Sequence, residues 1–235
     1  MLAGHFTTAL LAKQKFPKGT LIYFLILSQL QDLLWFLFHY LGLETTKPSD
    51  AFDATLSNMA VDMLYSHDLL PLLFWLAIVF LIGKLIFKST KIGIVSMVLI
   101  SVHFVLDFFS GHMHHVFGAD TAEAGLGLYA ASPYLAILIE AIFSAGALWY
   151  FFNEEAKNGV IRTSTNRLAI IAVFGYGIIF MLLIATRSFR ELLHIPEFDL
   201  GFNTNMPTLI FTYGAMLYCL NYFVSKTKNT LITKS

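Results

Sequence analysis

Four of the eight histidines in this 235-residue chain crowd into fifteen residues, Ser101–His115 (SVHFVLDFFSGHMHH), together with one carboxylate. On a helix His103 and Asp107 stand at i and i+4 and leave the same face one turn apart. A helix running on past Gly111 would add His114 to that face. Imidazole nitrogens and a carboxylate oxygen converging from one face are ligands for a borderline-soft divalent metal, with zinc the first candidate. Each group has a structural alternative. His103 and Asp107 can be a buried hydrogen-bonded pair, and His112, His114 and His115 can be a solvated turn, with one or two of them functional.

The elements that must position these groups follow from composition. The chain is 57% hydrophobic and only 13% charged, about half the charge of an ordinary soluble domain, so a membrane protein is expected. Formal net charge is zero with no basic block, which argues against nucleic acid as a partner. The single cysteine, Cys219, cannot form an intramolecular disulfide. Lysines follow the apolar N-terminus rather than precede it, so no cleavable signal is expected.

Leu2–Ala12 is too short to span a bilayer and reads as a half-helix dipping in from one side. Six spans follow, at about 20–43, 69–87, 92–109, 125–152, 168–186 and 207–224. The fold class is therefore all-α, a polytopic helical membrane protein forming one membrane domain. Lys13, Lys15 and Lys18, then Lys84, Lys88 and Lys91, then Arg162 and Arg167, and finally Lys226, Lys228 and Lys234 fall on one side of six crossings. The acidic loops fall on the other. The positive-inside rule places the basic side in the cytoplasm, in a bacterial inner membrane.

At about 1.5 Å rise per residue, Asp32 lies roughly 20 Å up its span, His103 roughly 18 Å, Asp107 roughly 24 Å and Glu140 roughly 18 Å. His5 stands about 12 Å above Lys13 by the same rise. Ionisable groups from several segments thus meet in the middle-to-outer bilayer, where carboxylates are costly and mark function. One or two divalent cations would neutralise them.

The first span carries Ser28, Asp32, Trp35 and His39 on one face. His67 precedes the second span and can reach the site from above, and Asp68 beside it is either a helix N-cap or a catalytic base. Glu140, with Ser144 one turn on, is a protonated structural group, a ligand or a base. Arg187, Arg190 and His194 are headgroup anchors or a clamp for an anionic substrate group.

Four short elements in the first half of the chain, Gly4-His5-Phe6, Gln31-Asp32-Leu33, Ser66-His67-Asp68-Leu69 and His103-Phe104-Val105-Leu106-Asp107, resemble the YdjM-type membrane-bound metal-dependent hydrolases. A more distant similarity is to the zinc-dependent phospholipase C fold. The resemblance implies His5, Asp32, His67, His103 and Asp107 as metal ligands. The family commonly has His-Ser where this chain has His67-Asp68, and the GHMHH turn is richer in histidine than the family pattern.

The functional expectation is hydrolysis of an ester or phosphoester in a lipid-like substrate, at one or two divalent ions, with His112 and His114 as further ligands and Asp68 or Glu140 as base. The rivals are an intramembrane zinc amidase of ceramidase type, haem electron transfer through facing histidines such as His39 with His103 or His112, and metal-ion transport.

Overall fold

The computed structural model describes residues 2–197 and 201–229. In chain order the elements are α1 (Leu2–Lys15), α2 (Leu21–Ser28), α3 (Leu30–Tyr40), β1 (Thr45–Lys47), β2 (Ala60–Asp62), α4 (Leu69–Phe87), α5 (Thr90–Ser110), β3 (His114–His115), β4 (Glu123–Ala124), α6 (Leu128–Ala131), α7 (Pro133–Lys157), β5 (Val160–Ile161), α8 (Ser164–Leu183), α9 (Phe189–Leu193), α10 (Asn205–Ser225) and β6 (Lys228–Asn229). The strands form three small antiparallel pairs, β1–β2, β3–β4 and β5–β6. Everything else that bears load is helical, so the molecule is an all-α, polytopic helical membrane protein. Helices α4, α5, α7, α8 and α10 are each long and apolar enough to cross a bilayer.

The expected first span is broken. Helices α2 and α3 meet at Gln29 with a bend of 62°, and Gln29 itself has φ −114° and ψ 9°. Breaks of this kind inside a membrane persist only where other groups satisfy the freed backbone. Here the Ser28 carbonyl is taken up by the His103 ring, so the break is part of the site.

The expected half-helix is the centre of the bundle. Nine of the fourteen residues of α1 are buried, a pattern found when a helix is enclosed on all sides. It packs on α7, α2 and α5. Lipid is as apolar as leucine, so packing and polar contacts hold such a helix in a membrane. At its start the Glu140 carboxylate accepts the Ala3 and Gly4 amides. At its end Lys13 Nζ donates to the Pro17 and Gly19 carbonyls, both at 2.9 Å, which fastens the turn that follows the helix.

Two further boundaries differ from the sequence reading. The fourth span begins at Pro133, not at residue 125. Gly125 and Gly127 have φ of +128° and +58°, and Pro133 occupies the first helical turn, where a missing N–H costs nothing. Helix α5 stops at Ser110, and the Gly111 N–H closes back on the Asp107 carbonyl at 2.7 Å. His114 therefore leaves the His103–Asp107 face and enters the β3–β4 ribbon.

The ends of the helices sort into two sets. On one side Lys15 pairs with Glu154 at 3.3 Å, Lys18 reaches the Lys88 carbonyl at 3.2 Å, and β5 pairs with β6. Lys234 of the basic tail lies outside the described residues. On the opposite side the Leu56 N–H donates to the Ile184 carbonyl at 2.8 Å, and His39 meets Asn203 at 3.1 Å.

Candidate metal centre

Five side chains from four elements converge at the core of the bundle. His5 comes from α1, Asp32 from α3, His67 from the turn before α4, and His103 and Asp107 from α5. All five are buried. His5 Nε2 lies 3.2 Å from Asp107 Oδ1, and His103 Nε2 lies 3.2 Å from Asp107 Oδ2. His67 Nε2 is 3.5 Å from Asp32 Oδ1 and 3.9 Å from Asp107 Oδ2, and His103 Nε2 is 3.9 Å from Asp32 Oδ2. The donor atoms form two overlapping triads, His5–His103–Asp107 and Asp32–His67–His103, each within 4.8 Å.

Hydrogen bonds on the far side of two rings fix their tautomers. His103 Nδ1 stands 2.8 Å from the Ser28 carbonyl, an acceptor only, so Nδ1 carries the proton. His67 Nδ1 stands 2.8 Å from Ser66 Oγ. That hydroxyl donates to Glu44 Oε2 at 2.9 Å and must accept from His67 Nδ1–H. In the neutral rings both Nε2 lone pairs then face the Asp32 and Asp107 carboxylates. Among the described residues His103 Nε2 makes no hydrogen bond, although Asp107 Oδ2 is near. A lone pair set against a carboxylate is repulsive unless a proton or a cation lies between them. His5 and His103 are also stacked with ring centroids 3.6 Å apart and planes 11° apart, which opposes protonating both.

A second layer holds these groups in place. Glu44 accepts the Tyr65 and Ser66 amides at 2.7 and 2.8 Å in addition to the Ser66 hydroxyl. Burial pushes its carboxyl up, with the Ser66 hydrogen bonds opposing that shift. Gln29, at the helix break, can donate to Asp32 Oδ2 and accept from the Phe6 N–H, both at 3.2 Å. Its neighbour Gln31 donates to the Ser66 carbonyl at 3.3 Å. The sequence reading missed Glu44 and Gln29. Glu44 sits in a polar loop where acidic residues are ordinary, and only the helix break marks Gln29.

The remaining candidates take different places. His114 is buried, stacks on His67 at 5.3 Å, and neither ring nitrogen has a hydrogen-bond partner among the described residues. Burial pushes its imidazole down to about 3, so the ring is neutral near pH 7. His112 packs edge-on against Tyr129 at 5.2 Å. Both line the cavity over the cluster, but neither joins a metal-holding triad.

Asp68 starts α4 without capping it. Its carboxylate accepts the His115 N–H at 2.9 Å and the Gly118 N–H at 2.6 Å, which fastens the GHMHH loop. Glu140 accepts both α1 amides on Oε1, and its Oε2 is buried without a hydrogen-bond partner among the described residues. Neither carboxylate lines the cavity, so the geometry gives no support to either as the base. Arg190 is held by Asp53 and Asp50 at 2.5 and 2.7 Å and donates to the Pro196 carbonyl, so it ties the loop after β1 to α9 and the residues that follow it. His39 faces Asn203, not the cluster.

The cavity above the cluster has a volume of about 70 Å³. Its polar wall is Asp32, His67, Asp107, His112 and His114, and its opposite wall is apolar, including Met59, Met63, Phe180 and Leu209. Comparison with protein-family models, curated proteins and solved structures finds no match for this chain.

Proposed function

We propose that this protein is a membrane-embedded, metal-dependent hydrolase acting on an ester or phosphoester of a lipid-like substrate. The observation that carries the reading is the pair of imidazoles, His67 and His103, whose Nδ1–H groups are tied to acceptors while both Nε2 atoms face two buried carboxylates. Histidine metal ligands are held in this way by an outer hydrogen bond. Tetrahedral zinc with bonds of about 2.0–2.1 Å sets its ligands roughly 3.3 Å apart. The contacts of 3.2, 3.2 and 3.5 Å between the imidazole nitrogens and the carboxylates match that spacing.

The residues that would hold the metal are His5, Asp32, His67, His103 and Asp107. His103 Nε2 has one lone pair and would serve one ion, and the two overlapping triads would hold one ion or two. Bound there, a divalent ion supplies Lewis acidity and acidifies a water. Asp32 and Asp107 are the carboxylates that line the cavity. Neutral His114, with uncommitted nitrogens, can donate to or accept from a substrate oxygen. The burial of the cluster and its half-apolar cavity favour a substrate that reaches the site from lipid. Orientation with the basic ends in the cytoplasm and the site toward the outer leaflet is part of this proposal, supported by the grouping of lysines at one end.

The haem rival gains nothing from the geometry, because His39, which it would pair with His103 or His112, faces Asn203 rather than the cluster. The test is elemental analysis of detergent-purified protein beside His103→Ala and Asp107→Ala, followed by hydrolysis assays on ester, phosphoester and amide lipids. Near-stoichiometric zinc in the wild type that disappears in both variants, with turnover of an ester or phosphoester, is expected. Equal metal content in all three proteins would refute the site. Amide turnover would favour the ceramidase-type rival, and metal flux without turnover would favour a transporter.

A further inference from the structure

The small cavity over the cluster adjoins a larger one. The second has a volume of about 300 Å³ and lies between the outer ends of α8 and α10 under the 51–54 loop and α9. Met59, Phe180, Ile184 and Leu209 line both, so the two spaces lie side by side along these four side chains. The second space is almost wholly apolar. Its two polar lining residues have turned their donors elsewhere, Asn205 Nδ2 to the Pro48 carbonyl at 3.1 Å and Thr208 Oγ1 to the Thr204 carbonyl at 2.9 Å.

We propose that this compartment binds one alkyl chain of the substrate while the polar group of the same molecule lies at the His–Asp cluster. The substrate is then an amphiphile held head-in, with a single hydrocarbon chain between α8 and α10. The inference rests on the hydrolase reading for the identity of the head but not for the chain. A space of about 300 Å³ is many times the roughly 10–15 Å³ that a single water needs on the same measure, so it has room for a chain segment. Apolar lining with a few polar groups at one end is the ordinary form of a site for such a molecule. The boundary residues include Met59, whose unbranched thioether adapts to a chain at little cost.

The test uses the full chain in phosphatidylethanolamine–phosphatidylglycerol vesicles containing phosphatidic acid with a diazirine at the end of one acyl chain. Photolysis, digestion and mass spectrometry locate the crosslinks, and metal content is read on the same samples. Crosslinks on Phe52, Phe189 or Leu193, which line the second space alone, are expected, falling about tenfold, or roughly 1.4 kcal/mol, in Leu209→Trp. Thr208→Phe fills the same space from a half-buried position and is expected to do the same if Leu209→Trp fails to fold. Crosslinks confined to outward-facing residues such as Phe211 and Tyr218, or labelling unchanged in the folded variants, would overturn the proposal. Labelling of the compartment in a protein without metal would support the chain site while ending the hydrolase reading. Stoichiometric metal without labelling would end the chain site and leave that reading standing.

Discussion

Ser66 is the point at which the proposed metal site can be weakened without touching a ligand. Its hydroxyl accepts from His67 Nδ1 at 2.8 Å and donates to Glu44 Oε2 at 2.9 Å. Ser66→Ala removes one buried oxygen, leaves the His67 N–H without an acceptor, and lets the ring turn away from Asp32. Glu44 keeps its two amide hydrogen bonds on Oε1, so the loop should stay folded. Loss of an outer partner of a ligating histidine typically weakens metal affinity 10–100-fold, or about 1.4–2.8 kcal/mol. The assay is competition titration of zinc against a chromophoric chelator in detergent. Wild type, Ser66→Ala, Glu44→Gln and the double variant would be compared. Each single change should weaken binding within that range, and the double variant should weaken it by less than the sum, because both act through one ring. An unchanged zinc Kd in a folded Ser66→Ala protein would refute the role of His67 as an oriented ligand.

Other outcomes follow from the same contacts. Zinc at 100 times its Kd should add about 2.7 kcal/mol of stability, so chelation should lower Tm by roughly 5–10 °C for a chain of this size; a chelator-insensitive melt would argue against a bound ion. Asp68→Ala removes two hydrogen bonds to a charged acceptor, each worth about 1.5–3 kcal/mol, and should expose the 112–124 loop to protease while leaving zinc affinity unchanged; loss of zinc would return Asp68 to the site. Glu140→Ala orphans the Ala3 and Gly4 amides at about 1–3 kcal/mol each, whereas Glu140→Gln keeps an acceptor. Amide exchange in the first turn of α1 should therefore rise in the alanine variant and much less in the glutamine one; equal exchange in both would mean that the carboxylate does not hold α1.

Much of the architecture is already fixed in the chain order of residue types. Helix α4 spans Leu69–Phe87 as its hydropathy indicates, and α5, α8 and α10 differ from the sequence reading by a few residues at their ends. Apolar runs of that length have no other stable form in a bilayer, since each backbone amide must bond within its own segment. The pairing of His103 with Asp107 was legible for the same reason, because an i, i+4 relation is local geometry.

What only the tertiary structure decided lies between segments far apart in sequence. Hydropathy marks α1 as too short to span but not as the buried centre of the bundle, which depends on the four helices around it. Asp68 and Glu140 looked like bases because they are carboxylates near histidines. Amides at residues 115 and 118, and at residues 3 and 4, occupy them instead. Glu44 looked like an ordinary loop acid until the fold set Ser66 between it and His67. A side chain's type fixes which hydrogen bonds it can make. Which it does make is set by the partners that folding brings within about 3 Å, and for these residues those partners come from other elements.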